Sequence, residues 1–142
     1  LPTEPILMAL KTAAAAGVDV RIMIPEKSDS RMVHWGTMSY LQELMEAGIK
    51  IYMYQKGFLH SKLIVCDDCL SSVGSTNMDF RSFEHNFEIN AFMYDKTSAL
   101  MLKDIFLSDQ KDAKLLHLKE WRMRPWSQKV KESVIRLFAP LL

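Results

Sequence analysis

The chain has 142 residues, of which 49% are hydrophobic and 25% are charged, and its formal net charge is +1. This length and composition fit one globular domain with its own core. The near-neutral charge provides no overall field that would draw the chain to nucleic acid. No apolar run approaches the roughly 18 residues of a membrane span, and no signal peptide is recognisable. Because the chain begins with Leu1 and not with Met, we expect a fragment of a longer protein.

The N-terminal third alternates between helical and extended patterns. An alanine-rich helix ends at Gly17, and a longer helix ends at Gly48, because glycine commonly terminates helices. Pro25 closes the strand between these two helices. The predicted elements are a helix over 5–16, a strand over 18–24, a helix over about 30–47 and a strand over 49–54.

The middle of the chain is richer in strand patterns. Alternating residues over 58–66 and again over 86–94 predict strands, and a further strand ends near Gly74. A short helix follows Asn77, and another helix covers about 97–108. Strands and helices that alternate at short intervals predict an α/β layered fold, with a mixed β-sheet flanked by helices.

The stretch from His60 to Asn90 holds residues suited to phosphate chemistry. Residues two apart on a strand share a face, so His60 and Lys62 are expected to point the same way. Asp67 has the parity of the opposite face and stands where the strand ends. We therefore expect Asp67 to be structural, either anchoring a turn or pairing with a cation behind the site.

The next strand ends in small and polar residues. Gly74 allows close approach of backbone, and the hydroxyl of Ser75 and the amide of Asn77 can bond phosphate oxygens. Glu88 has the parity of the polar face of the following strand, shared with Asn86 and Asn90. A carboxylate there could accept the far N–H of an imidazole and fix its tautomer.

Each residue also has an ordinary structural explanation. A single histidine on a strand commonly serves packing, a strand lysine commonly faces solvent, and Asp67-Asp68 is a common turn. Cys66 and Cys69 frame that turn. A zinc site needs four ligands and no second pair is suitably spaced, so we expect two small, reduced residues beside a hairpin.

The combined spacing, however, resembles one known motif. His60-x-Lys62, Asp67 after four residues, and Gly74-Ser75-x-Asn77 after six more match the His-x-Lys-x4-Asp-x6-Gly-Ser-x-Asn motif of the phospholipase D superfamily. Beyond the motif the chain is similar to the C-terminal half of bacterial cardiolipin synthases. That similarity is carried by LKTAAAAGVDVRIMIP, YLQELMEAGIKIYMYQKGFLHSKLIV, VGSTNMDFRSFEHNFEINAFMYD and EWRMRPWSQKVKESVIRLFAPLL.

The resemblance implies a phosphatidyl transfer between two phosphatidylglycerol molecules that gives cardiolipin and glycerol, without metal or other cofactor. It implies a two-lobed enzyme in which one motif histidine forms a phosphohistidine and the other moves protons. His60 then matches the acid–base histidine, with the nucleophile role left open. Lys62 and Asn77, supported by Ser75, match the phosphate-binding groups, Glu88 matches the acid that orients the histidine, and Asp67 and Gly74 match structural positions.

The resemblance also implies partners and a division of the chain. Residues 1–117 are expected to form the catalytic half-domain and 118–142 a basic, aromatic helical tail, suited to a membrane surface or to packing on the domain. The partner is an N-terminal half with a second motif; the parent is membrane-associated and this fragment soluble or peripheral. Alternatives are a single-motif phosphodiesterase or nuclease acting as a homodimer, against which the near-neutral charge argues, and an inactive half-enzyme module.

Overall fold

The computed structural model describes residues 2–28 and 30–137. Helices and strands alternate along this part of the chain, as the sequence predicts. The helices are α1 (Glu4–Ala15), α2 (Arg31–Glu46), α3 (Phe80–Glu84), α4 (Lys96–Gln110), α5 (Leu118–Arg122) and α6 (Trp126–Arg136). The strands are β1 (Arg21–Pro25), β2 (Lys50–Tyr54), β3 (Leu63–Cys66), β4 (Leu70–Gly74), β5 (Asn90–Met93) and β6 (Ala113–Leu115).

The strands form two three-stranded sheets, where the sequence predicted one mixed sheet. In the first sheet β2 lies between β1, to which it is parallel, and β6, to which it is antiparallel. The second sheet is antiparallel throughout, with β4 between β3 and β5. The α/β class is therefore confirmed, and α4 contacts strands of both sheets.

The core lies between the first sheet and the helices around it. Leu7 of α1, Leu41 of α2 and Ile51 of β2 are almost completely buried. Apolar side chains of α2 and β2 surround them, and Trp121 of α5 packs against the same cluster. Burial of a large apolar side chain typically contributes about 1.5–3 kcal/mol, so this cluster is the main source of stability for the scaffold.

The helix ends follow the sequence signals closely. Ser30 caps α2 by accepting a hydrogen bond from the backbone N–H of Val33, as favoured at a helix start. Gly17 and Gly48 adopt φ values of 90° and 89° just beyond α1 and α2. This left-handed conformation suits glycine because it has no Cβ, and both helix predictions are confirmed to within one or two residues.

Two strand predictions are corrected at their starts. The strand predicted over 58–66 is shorter, since β3 begins only at Leu63, and the strand predicted over 86–94 is reduced to β5. β3 begins late because its partner strand β4 stops pairing with it at Gly74. The N–H of Gly74 donates to the carbonyl of Lys62, but the N–H of Ser75 donates to Ile89 on the other side. His60 therefore precedes the strand in an extended segment without a ladder partner.

The tail from Leu118 forms α5 and α6, and α6 packs against α2. Arg124 makes a two-pronged ion pair with Glu132, at 2.7 and 3.0 Å, and its guanidinium lies 3.4 Å from the ring centre of Trp121. Phe138 and Leu141, included in the sequence prediction for the tail, lie outside the described residues. No helix within residues 2–28 and 30–137 is long and apolar enough to cross a membrane.

Candidate active site

The hairpin between β3 and β4 sets the position of the motif. Asp67 and Asp68 occupy its turn with φ values of 49° and 56°, and the N–H of Cys69 closes it by donating to the carbonyl of Cys66. Two successive positive φ values match the tight turn preferred by twisted hairpins, where aspartate is well tolerated. Asp67 thus lies in a turn, one of the two roles considered for it.

Asp68 does more than form the turn that the sequence assigned to it. Its carboxylate accepts a hydrogen bond from the ammonium of Lys103 in α4, at 2.6 Å. The pair connects the hairpin turn to the helix behind the second sheet. The alternative considered for Asp67, a pair with a cation, is thus made by Asp68 in this structure.

Gly74 lies where the chain leaves no room for a side chain. A Cβ at this position would be 1.7 Å from Oδ1 of Asn90 and 2.3 Å from the carbonyl oxygen of Ile89. Neither separation is compatible with two non-bonded heavy atoms. The amide of Asn90 also donates to the hydroxyl of Thr76, at 2.7 Å. The close approach expected at Gly74 is thus made by β5 and the residue preceding it.

Glu88 and Ser75 form the centre of the polar cluster. The hydroxyl of Ser75 donates a short hydrogen bond to one carboxylate oxygen of Glu88, and the amide of Asn86 donates to the other at 3.2 Å. The backbone N–H of Ile89 in turn donates to the Ser75 hydroxyl at 3.0 Å. These bonds fix the carboxylate at the end of the β3–β4 hairpin.

The same contacts keep Glu88 ionised. The hydrogen bond from Ser75 and then that from Asn86 lower the pKa of the Glu88 carboxyl below its ordinary value, and the positive charge of Lys62 acts in the same direction. Hydrogen bonds to a charged form favour that form. Glu88 is therefore available as a fixed negative charge beside Lys62.

A side-chain to backbone hydrogen bond links Lys62 to His60. The ammonium of Lys62 donates to the backbone carbonyl of His60, at 2.7 Å. The exposed imidazole of His60 stacks on the ring of Phe58, with ring centres 5.5 Å apart. No hydrogen bond links His60 to Glu88 within the described part of the chain, so the two side chains expected to meet do not do so in this structure.

Asn77 is held at the start of α3. Its backbone N–H donates to the hydroxyl of Ser82 at 3.2 Å, and the N–H of Ser82 donates to the carboxylate of Asp79, the N-cap of the helix. Asn77 itself is exposed. Sequence reasoning missed Ser82, although an aspartate three residues before a serine is a recognisable helix start.

Lys62, Ser75 and Glu88 thus lie at the open end of the β3–β4 hairpin, opposite the turn. His60 precedes Lys62 by two residues. Asn77 follows Ser75 by two residues and is bonded through its backbone to Ser82 of α3. The sequence placed Asn86 and Asn90 on the polar face with Glu88 but gave them no roles; Asn86 supports the carboxylate and Asn90 packs against Gly74.

The two cysteines remain thiols. Both are free and exposed, and partial burial, followed by the charge of Asp67, raises the pKa of the Cys66 thiol. A raised pKa reduces the thiolate that redox or metal chemistry needs. Within the described residues, no group of three or more His, Cys, Asp or Glu side chains could hold a metal ion.

Comparison with solved structures defines the class of fold. The phospholipase D family member Nuc from Salmonella typhimurium matches 82% of this chain and 76% of its own, with a TM-score of 0.70 and 22% identity. Phosphatidylserine synthase from Haemophilus influenzae matches 99% of this chain and 39% of its own, with a TM-score of 0.74 and 15% identity. The fold is that of the phospholipase D class.

Sequence comparisons identify a family within this class of fold. A family model described as "Cardiolipin synthase, PLD-like domain" matches residues 1–110. Cardiolipin synthase from Geobacillus kaustophilus is 49% identical over all 142 residues, and cardiolipin synthase 1 from Staphylococcus epidermidis is 48% identical. This chain therefore belongs to the phospholipase D-like domain family of cardiolipin synthases. It spans 28% and 29% of the lengths of those two relatives.

Proposed function

We propose that the chain is the C-terminal catalytic half of a cardiolipin synthase, and that the complete enzyme moves a phosphatidyl group between two phosphatidylglycerol molecules to give cardiolipin and glycerol. The observation that carries this proposal is identity of 49% over the whole chain with a relative of that name. The polar cluster around Lys62, Ser75 and Glu88 supports it with groups suited to binding a phosphodiester.

In the proposed mechanism the two motif histidines share the work. One attacks phosphorus while the bond from phosphorus to the glycerol oxygen breaks, and the other donates a proton to the departing glycerol. The second histidine then takes the proton of an incoming phosphatidylglycerol hydroxyl, whose oxygen displaces the histidine from phosphorus. Dividing the exchange through a phosphohistidine is covalent catalysis, and atoms and protons balance over the two steps.

We assign His60 the acid–base part of this exchange. Its ring is exposed and its contact within the described residues is the stack on Phe58, so a substrate can reach either nitrogen. We expect Glu88 to reach it by a side-chain rotation once substrate and the second half are in place. A positioned acid–base group typically contributes about 10²–10⁴-fold.

Lys62, Asn77 and Ser75 have the proposed role of binding phosphate. Charge and hydrogen-bond donors directed at the equatorial oxygens stabilise the transition state of transfer. The Lys62 ammonium is satisfied by a backbone carbonyl in this structure, a bond that a dianionic transition state can displace. Asp67 and Gly74 act by shaping the hairpin that carries these groups.

A labelling experiment tests the assignment of roles. The 142-residue chain is mixed with the N-terminal half of a full-length relative and with phosphatidylglycerol labelled at phosphorus, and the reaction is quenched in alkali, where phosphohistidine survives. We expect label on the N-terminal half, because His60 moves protons. Label on the 142-residue chain would assign the nucleophile role to His60.

One observation favours a second candidate. Nuc, a phospholipase D family member, is matched over 76% of its own chain, so its chain is of about the same extent as this one. The alternative is a phosphodiesterase or nuclease in which two copies of the chain each supply one His60. A third candidate is a half-enzyme module that is inactive by itself.

For each of these functions we propose the same organisation, with residues 1–117 as the phospholipase D-like half-domain and residues 118–142 as a basic, aromatic tail.

A further inference from the structure

Helix α6 carries an apolar stripe on the side facing away from the domain. Trp126, Val130, Val134 and Leu137 lie on the same side of α6 and its C-cap, and their exposed fractions are 78%, 38%, 49% and 79%. Met123, just before the helix, is 71% exposed. Surface helices of a globular domain normally turn such a stripe toward the core.

The side of α6 that packs on the domain is instead charged. Glu132 is 7% exposed and is held by Arg124, while Arg136 donates to Glu43 of α2 at 3.0 Å and lies over the ring of Tyr40. Arg122 likewise reaches Glu46 of α2. Ion pairs therefore help to fix the orientation of α6, and its apolar stripe is directed outward.

The charges beside the stripe have one sign. With about 100° of rotation per residue, Lys129 and Lys131 lie on opposite flanks of the stripe, each about 100° from its middle. Glu132, the acidic residue of α6, is nearly opposite the stripe. Neither lysine forms an ion pair within the described residues: Lys129 donates to the carbonyl of Arg122, and Lys131 lies over the ring of Trp35.

We propose that this stripe docks α6 in the plane of an anionic lipid bilayer. A tryptophan and aliphatic residues enter the acyl boundary, and the flanking lysines extend to lipid phosphates, the arrangement of interfacial helices. Lys129 and Lys131, which have no acidic partner among the described residues, favour a negatively charged surface. The proposal deepens the proposed function, because docking would hold the domain against the membrane that contains the lipid substrate.

The test is flotation of the 142-residue chain with lipid vesicles. Vesicles of phosphatidylcholine with phosphatidylserine provide negative charge without the proposed substrate, and pure phosphatidylcholine is the neutral comparison. We expect binding to the anionic vesicles that weakens as salt screens the charges. Trp126→Ser combined with Leu137→Ser should reduce the partition coefficient at least about tenfold.

The charge contribution is tested separately. Lys129→Gln combined with Lys131→Gln should reduce binding to anionic vesicles about fivefold for each lysine and should leave binding to neutral vesicles unchanged. Met8→Ser, which removes a 60% exposed side chain from α1, is the matched control and should behave as wild type. All five substituted positions are at least partly exposed, so circular dichroism should show folded variants.

Three results would overturn the proposal. The first is no binding of the wild-type chain to anionic vesicles, and the second is undiminished binding by the Trp126 and Leu137 variant. The third is a dimer in light scattering that the same variant splits, which would make a second copy the occupant. Vesicle binding requires no turnover. A chain that binds vesicles but gives no cardiolipin after the N-terminal half is added counts against the transferase alone, and a mixture that makes cardiolipin although the chain fails to bind vesicles counts against the stripe alone.

Discussion

The side chain of His60 has few structural ties. Its side chain contacts the exposed ring of Phe58 and is not part of a buried cluster. Removing it should therefore affect chemistry without affecting folding, a separation that structural histidines rarely permit.

We predict that His60→Ala in a full-length parent lowers phosphatidyl transfer at least about hundredfold, the usual contribution of an acid–base group, with the thermal midpoint unchanged. His117→Ala, at an exposed position before α5, is the matched control and should retain wild-type turnover. Turnover by the His60 variant within a few-fold of wild type would contradict the assignment.

Glu88 differs from His60 because several bonds hold it. The hydrogen bonds from Ser75 and Asn86 lower its pKa below the ordinary value, so the carboxylate stays charged at pH values where a free glutamate begins to protonate. A depressed folded pKa contributes stability above the unfolded pKa and loses it as the pH falls through the folded pKa. The group is therefore negative throughout the neutral range.

Glu88→Gln should preserve the bond with Ser75 but remove the negative charge that supports a protonated imidazole. We expect turnover of the full-length parent to fall at least about tenfold at neutral pH, within the range of acid–base contributions. The rate should be compared at pH 5 and pH 7 in both proteins. A change of less than twofold at both values would make Glu88 a structural acid only.

Among the secondary-structure elements, the β3–β4 hairpin positions the site and depends on Gly74. A methyl group there must displace Asn90 or the backbone at Ile89. We predict that Gly74→Ala destabilises the chain by about 1–3 kcal/mol, the usual cost of overpacking, as measured by urea denaturation.

The control for this change is Gly57→Ala. A Cβ at Gly57 would contact nothing within 4 Å and its φ is not positive, so its stability should stay near that of wild type. Equal midpoints for both variants would show that Asn90 yields without cost.

The ion pair between Arg124 and Glu132 connects the segment between α5 and α6 to α6 and is largely buried, with side-chain exposures of 18% and 9%. Glu132→Gln leaves the guanidinium without its counter-charge, and loss of one partner of a buried pair costs about 3–5 kcal/mol. Glu46→Gln breaks the exposed pair with Arg122 and should cost at most about 1 kcal/mol. Similar losses in the two variants would show that the inner pair is effectively solvated.

The motif could be recognised in the sequence, and the bounds of α1 and α2 were predicted well. The bounds of the strands were predicted less well. Fixed offsets from His60 to Asn77 identify the motif, and glycines mark the ends of α1 and α2 locally. The true start of β3 depends on where β4 turns toward Ile89, and β6 is a three-residue strand defined by pairing with β2. Such non-local pairing leaves no periodic signal.

The residues of the polar cluster could be predicted from the sequence, but the hydrogen bonds between them could not. Parity placed Glu88 with Asn86 and Asn90, yet Ser75 and not His60 contacts its carboxylate, because pairing of Ser75 with Ile89 brings the hydroxyl next to it. Val130, Val134 and Leu137 of the apolar stripe of α6 stand at helical spacing in the sequence. The outward direction of the stripe depends in part on ion pairs with α2, which are distant in sequence.

At the scale of the whole molecule, we propose that this chain supplies one of the two histidines that the reaction needs. The chain spans 28% of the Geobacillus relative and carries a single copy of the motif, whereas the proposed exchange needs one histidine to attack phosphorus and another to move protons. The missing histidine must reach the surface that carries His60 and Lys62, so the partner is expected to cover the open end of the hairpin.

The decisive measurement is conversion of labelled phosphatidylglycerol by the 142-residue chain at micromolar concentration, with its mass followed by light scattering. We predict no cardiolipin from the monomer, and cardiolipin formation when the N-terminal half of a full-length relative is added, with or without EDTA. Turnover by a dimer of the chain would favour the single-motif alternative. Sustained turnover by a demonstrated monomer would contradict the requirement for two histidines and with it the proposed mechanism.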